Sequence, residues 1–236
     1  MKAAQLVAPG EFVVHDISEP TPAPGQALLQ VVAAGMCHSD VHIVHGALSS
    51  LPLPFTLGHE TTAKVLDPNG APGVQAGQNV IVAGIWGCNN CRPCRLGRAN
   101  ACEKWARTMP IPIGPGLGFA GGMAERMVAP YSALVPIGDL DPVAAAPLSD
   151  AAVSPAHGIS QVRDLLTPDA TVLVIGIGGL GHMALQILRA TSACRIIAVD
   201  KYPERLARAT SHGADLTVIS DEHAAAHILE LTDGLG

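Results

Sequence analysis

Apolar residues in the first 148 positions come in short runs broken by proline and glycine. Ala27-Leu28-Leu29-Gln30-Val31-Val32 and Val80-Ile81-Val82-Ala83 have the length and branched composition of strands. Turn-rich stretches such as Pro20-Thr21-Pro22-Ala23-Pro24-Gly25 and Pro68-Asn69-Gly70-Ala71-Pro72-Gly73 separate such runs. This punctuation predicts a small, strongly bent antiparallel barrel. The texture changes near Asp141-Pro142, a pair suited to opening a helix. Beyond it, helix and strand patterns alternate. Residues 144–162 read as helix-rich with breaks at Pro147 and Pro155, and 171–175 as a buried strand. An apolar helix over 180–190, a strand over 195–200 and a helix over 203–212 follow. A third strand over 216–219 and a helix over 222–231 complete the series. The order β-α-β-α-β-α is that of the first half of a doubly wound parallel sheet. Two domains are therefore expected, 1–148 and 149–236.

Composition narrows the class. The chain is 48% apolar, 14% charged and 3% aromatic, which supplies an aliphatic core. Its net charge of −6 and the lack of a Lys/Arg cluster exclude a nucleic-acid binder. No apolar run reaches the roughly 18 residues of a membrane span, and the N-terminus enters a strand-like run without a signal-peptide core. Four of the six cysteines fall within fifteen residues, which favours metal sites and a reducing, cytoplasmic setting over a disulfide framework.

Those four are Cys88, Cys91, Cys94 and Cys102. Thiolates at this spacing wrap one tetrahedral zinc with no open position, a structural site. A redox pair would not need four cysteines. A second pattern, Cys37-His38-Ser39-Asp40-Val41-His42 followed by Gly58-His59-Glu60, offers a thiolate, an imidazole and a carboxylate. That is the donor chemistry of a zinc with an open position. Taken singly, Cys37 could be a small core residue and His59 a satisfied core histidine.

A third pattern is Gly176-Ile177-Gly178-Gly179-Leu180-Gly181, set between a strand and a helix. Its glycines let the backbone approach a pyrophosphate at the helix N-terminus. Asp200 ends the next strand, nineteen residues after Gly181, where a carboxylate binds ribose hydroxyls. An acid at 200 with no arginine directly after it favours NAD over NADP, and Lys201 works against that preference.

With Gly35-x-Cys37-His38-Ser39-Asp40, Gly58-His59-Glu60, the four-cysteine lobe and the glycine turn in this order, the chain resembles the zinc-containing medium-chain alcohol dehydrogenases over its whole length. Within that family it is most similar to bacterial NAD-dependent enzymes of secondary alcohols and ketones. The resemblance implies a GroES-like β-barrel catalytic domain followed by a Rossmann coenzyme domain. It implies two zinc ions per chain and NAD. Cys37 and His59 become catalytic-zinc ligands, and Glu60 a carboxylate able to approach the metal.

The third ligand slot, a cysteine in many relatives, holds Asp150, an acceptable oxygen donor whose other reading is the cap of the following helix. Ser39 would accept the substrate proton and His42 would pass it to solvent. The remaining histidines, among them His38, His182 and His212, read as surface or packing residues. Two departures from the family pattern, Thr61-Thr62-Ala63 after the histidine motif and Gly77-Gln78-Asn79-Val80, put the strand behind His59 in question.

The expected reaction is hydride transfer between a primary or secondary alcohol and NAD, giving an aldehyde or ketone. A polyol or formaldehyde dehydrogenase of the same fold is the alternative substrate reading, and a catalytically silent zinc-binding fragment the non-enzymatic one. A doubly wound sheet has about six strands, and three are found here. The chain is accordingly expected to be part of a longer enzyme, a homodimer or homotetramer in full-length form.

Overall fold

The computed structural model describes residues 1–108 and 111–235. It divides into two compact units, 1–150 and 151–236.

The first unit holds the strands β1 (Lys2–Ala8), β2 (Glu11–Asp16), β3 (Gln26–Gly35), β4 (Phe55–Thr56), β5 (Glu60–Asp67) and β6 (Asn79–Val82). Two-residue strands β7 (Gly114–Pro115) and β8 (Gly118–Phe119) precede β9 (Arg126–Pro130) and β10 (Leu134–Pro136). An antiparallel sheet runs β10-β6-β5-β3-β9, and a smaller one runs β2-β1-β4. Alternate residues of these strands point to one face of the larger sheet. Ala27 and Leu29 of β3, Ala63 and Val65 of β5, Val80 and Val82 of β6, and Met127 and Ala129 of β9 form one core cluster with Trp86. Burying each Val, Leu or Met side chain contributes about 1.5–3 kcal/mol.

Short helices are set into this unit: α1 (His38–Val44), α2 (Arg92–Arg95) and α3 (Pro142–Ala145). Helix α1 is anchored through Ile43, which packs with Leu6, Leu51, Phe55 and Leu57. Asp141 caps α3, its carboxylate accepting the Val143 N–H at 3.2 Å, with Pro142 at the first helical position as expected.

Residues 61 and 62 resolve the doubt about the strand behind His59. Both threonines are fully buried. The Thr61 N–H donates to Ser149 Oγ at 3.1 Å, and Thr62 Oγ1 donates to the Pro142 carbonyl at 2.8 Å. The Thr61 backbone N–H and the Thr62 hydroxyl, the latter a departure from the family pattern, thus tie β5 to the segment that ends at Asp150.

The second unit is a three-stranded parallel sheet in the order β11 (Thr171–Ile175), β12 (Arg195–Asp200), β13 (Leu216–Ile219). Its helices are α4 (Val153–Gln161), α5 (Gly179–Thr191), α6 (Pro203–Ser211) and α7 (Ala224–Leu231). Strand β12 is buried on both faces, as a central parallel strand should be. Ile196 and Ala198 pack with Leu185 and Leu188 of α5 and Leu206 and Ala209 of α6. Ile197 and Val199 pack with Val218 and with Ile228 and Leu231 of α7.

Two expectations need correction. Pro155 does not break a helix; it is the third residue of α4, where backbone N–H groups have no intrahelical acceptor to lose. The interruption falls instead between the 3₁₀ turn Ala146–Ser149 and Val153. Strand β11 is less buried than expected. It lies at the sheet edge, and Ile175 is 74% exposed.

Gly58 makes the turn between β4 and His59 with φ +100°, and a Cβ there would meet the Met123 backbone nitrogen at 2.7 Å. Replacing Gly58 by Ala should cost about 2 kcal/mol or more, combining backbone strain with a clash that cannot relax into space. Urea unfolding of the zinc-loaded chain measures this, and an unchanged midpoint would refute it.

Candidate active site

Cys37 occupies the N-cap of α1 in an extended conformation, and Asp40 sits three residues into the helix. Asp40 Oδ2 accepts the Cys37 N–H at 3.0 Å, and Oδ1 accepts the Gly58 N–H at 3.3 Å. The same Oδ1 lies 3.4 Å from His59 Nδ1. One buried carboxylate therefore fixes both loops that carry the cysteine and the histidine. On the opposite side of the imidazole, Nε2 lies 3.4 Å from Asp150 Oδ2.

Cys37, His59 and Asp150 bring a sulfur, a nitrogen and an oxygen within 4.8 Å of one another. Neither ring nitrogen of His59 makes a hydrogen bond, although the residue is 2% exposed. Burial pushes the His59 pKa down, yet Asp150, Asp40 and Cys37 outweigh it and raise it to about 11. In turn His59 holds the Asp150 carboxyl below its usual range, against the opposing effect of burial. A buried imidazole ringed by anionic donors marks a place that demands a cation. The S/N/O donor set suits zinc with a vacant fourth position.

Asp150 does not cap the following helix. It ends the 3₁₀ turn with φ −140° and ψ −69°, and the N-cap of α4 is Ala152. Ser39 is exposed, with Oγ 3.8 Å from Cys37 Sγ. His42 is also exposed, one helical turn after His38, and the two rings meet edge to face at 4.7 Å. His38 is exposed, as read from the sequence, and packs on His42. Glu60 is buried but lies outside the three-donor cluster; its Oε2 occupies the space over Gly35. Sequence reading gave Asp40 no role. Its signal was the position three residues after an N-cap, where an acidic side chain reaches back to the cap N–H.

The four cysteine sulfurs of the lobe also lie within 4.8 Å of one another. The Cys91 N–H donates to Cys88 Sγ at 3.3 Å, and the Cys88 N–H to Cys102 Sγ at 3.4 Å. Burial works to raise Cys102, but the N–H groups of Trp105 and Cys88 lower it to about 6; burial and the Cys91 side chain push Cys94 up to about 12. Four thiolates this close cannot all ionise without a cation among them. The donors fit a closed tetrahedral zinc.

The glycine turn leads from β11 into α5. Gly176 has φ +88°, and a Cβ on Gly181 would meet the Gly176 carbonyl oxygen at 1.9 Å, so the crossing requires glycine. Gly178 is the N-cap of α5 and Gly179 its first residue, while Leu180 is exposed. The turn is therefore built for close backbone approach at a helix N-terminus, which fits a dinucleotide pyrophosphate.

Asp200 has a different immediate environment from the one expected. Its side chain is 3% exposed. Oδ2 accepts the Ile177 N–H at 2.6 Å, and Oδ1 accepts the Tyr202 N–H at 2.9 Å. Arg205 lies 3.5 Å from Oδ2. Burial raises the Asp200 pKa, but these amides and Arg205 bring it below the usual carboxylate range. In this conformation the carboxylate holds the glycine turn to the end of β12. Lys201 points its ammonium over the Tyr202 ring at 4.9 Å from the centroid.

Comparison with known proteins identifies the family. Residues 23–139 match the family pattern described as the alcohol dehydrogenase GroES-like domain, and 179–236 match that of zinc-binding dehydrogenases. An NAD-dependent alcohol dehydrogenase of Sulfurisphaera tokodaii is 34% identical over 100% of this chain and 69% of its own length. A D-arabinose 1-dehydrogenase (NADP(+)) of Saccharolobus solfataricus is 34% identical over 94% of this chain and 63% of its own. The crystal structure of an alcohol dehydrogenase from Aeropyrum pernix superposes with a TM-score of 0.88 at 31% identity, covering 100% of this chain and 70% of that one. The chain belongs to the zinc-dependent medium-chain alcohol dehydrogenase family. Among its described residues, no helix is long and apolar enough to cross a membrane.

Metal analysis should find two zinc ions per chain, and one after Cys102→Ser. Asp150→Ala should strip the other site, whereas Asp40→Asn should weaken it by about 10–100-fold, the usual effect of losing a group that orients a ligand. Competition with a chromogenic chelator reads both, and an Asp150→Ala chain with two tightly held ions would remove Asp150 from the ligand set. Because the imidazole must be neutral to bind metal and its pKa is raised to about 11, affinity at this centre should go on climbing with pH through the neutral range and level off only near pH 11. A flat profile would contradict the His59 environment described above.

Proposed function

We propose that Cys37, His59 and Asp150 hold a catalytic zinc, that Cys88, Cys91, Cys94 and Cys102 hold a structural one, and that the chain oxidises a small primary or secondary alcohol with NAD, reversibly. The observation that carries this reading is the buried, unbonded imidazole of His59 facing a thiol and a carboxylate within 4.8 Å. Zinc, when bound, supplies Lewis-acid stabilisation of negative charge on the substrate oxygen, and NAD accepts the hydride.

The chain's own residues do the rest. Asp40 orients His59 and the Cys37 loop. Ser39, with its hydroxyl beside the Cys37 sulfur, takes the proton of the substrate hydroxyl, and His42 delivers it to solvent from the same helix. Glu60 is a carboxylate able to approach the metal. Gly176, Gly178, Gly179, Leu180 and Gly181 seat the pyrophosphate, with Asp200 and Lys201 at the adenosine end. The same reading places the chain in the cytoplasm, where thiols stay reduced, and makes the full-length form a homodimer or homotetramer.

A sugar or polyol substrate is the second reading, supported by the 34% identity to a D-arabinose 1-dehydrogenase. NADH formation by the purified chain with propan-2-ol, sorbitol, formaldehyde and D-arabinose, each with and without chelator, separates the readings. Chelator-sensitive turnover fastest on propan-2-ol is expected. Faster turnover on D-arabinose or sorbitol would move the substrate class. Silence on all four with both zinc sites filled would leave a zinc-binding segment without activity of its own.

A further inference from the structure

Among the described residues two pairs of imidazole rings touch, and their electrostatic surroundings are opposite. His182 and His212 meet at 4.3 Å beside a cavity that Arg205 and Arg208 also line, so a cation is repelled there. His38 and His42 meet at 4.7 Å on α1, and both are exposed. Helix α1 carries no lysine or arginine, and none occurs anywhere between residues 3 and 63. Nothing in that segment opposes a cation at the second pair.

Residues four apart on a helix face each other, and two histidines at that spacing are a recurrent zinc-chelating pair. The two rings lie edge to face, with their planes at 81°. The χ2 torsion that turns each ring is soft, so one nitrogen of each can be aimed at a single ion at little cost. Among the described residues no hydrogen bond or ion pair occupies either ring. Chelation therefore breaks no existing bond. Imidazole nitrogen is a donor zinc accepts readily. With two protein ligands and water completing the shell, such a site is weaker than the three-donor and four-donor centres.

We propose that His38 and His42 form a third zinc site, filled only when free zinc is in excess, and that its occupancy slows turnover. The slowing rests on the reading of His42 as the group that delivers the substrate proton to solvent. A ring nitrogen bound to zinc has no lone pair left to accept a proton, so the ion and the relay exclude each other.

Calorimetric titration of zinc into the chain that already holds its two tightly bound ions reads the site without turnover. One further ion should bind. His38→Gln and His42→Gln should each weaken it by about a hundredfold, because the surviving imidazole loses a partner tethered at high effective concentration. His45→Gln, at the C-cap of the same helix, should leave it unchanged. In the unsubstituted chain, zinc should protect His38 and His42 from acylation by diethyl pyrocarbonate while His45 still reacts. Mass spectrometry of that segment reads this without any variant. NADH formation from propan-2-ol should fall on adding excess zinc, and His38→Gln should remove that effect.

Binding of no further ion overturns the proposal, as does a third ion held equally well by both variants or acylation of the pair that zinc does not slow. A third ion lost in His38→Gln, with turnover indifferent to excess zinc, upholds the site and overturns the inhibition. Failure of the chain to oxidise any alcohol overturns the relay reading, and the binding and acylation results then decide the site by themselves.

Discussion

The cluster of Cys37, His59 and Asp150 depends on the Asp40 carboxylate. It is 3% exposed, and its oxygens meet the N–H groups of Cys37 and Gly58 and face the inner nitrogen of His59. A carboxylate out of water is costly unless its lone pairs are satisfied, and here the satisfying groups belong to the two loops that must meet. The same side chain thus opens α1, closes the turn at Gly58 and sets the ring that faces Asp150. Gly58 takes its positive φ without strain because it lacks a Cβ.

A second constraint comes from the opposite direction. Asp150 lies at the end of a short 3₁₀ turn, a weak element by itself. Its place is set by β5, whose two buried threonines bond Ser149 and Pro142. Ser149 Oγ further reaches the Ala146 carbonyl at 2.8 Å. His59, just before β5, and Asp150, at the end of the turn clamped to it, are therefore positioned by one strand.

Much of this was legible in the sequence because the chemistry sits in short, spaced motifs. Four cysteines within fifteen residues, Cys37 with His59, and the glycine turn each constrain local geometry strongly enough to be read directly. The parallel strands were legible because buried β12 is an unbroken apolar run and the helices after it are punctuated by Pro203 and Gly213. What escaped detection depends on long-range contacts. Asp40 reads as an ordinary helix cap until the Gly58 turn folds onto it. Thr61 and Thr62 looked like an irregularity because their partners lie some 80 to 90 positions away. Asp200 matched a spacing rule that says nothing of whether its oxygens are already taken. Pro155 was misread because a proline's effect depends on its place in the helix, and that place was set by where the 3₁₀ turn ended.

Every donor of both metal centres lies between residues 37 and 150, inside the first compact unit. Protein synthesis runs from the N-terminus, so a growing chain that has cleared the ribosome past Asp150 already carries all seven ligands. Its two ions can be captured before the parallel sheet exists. On the proposed ligand assignment, zinc supply would then bear on the first unit alone, before the parallel sheet is made.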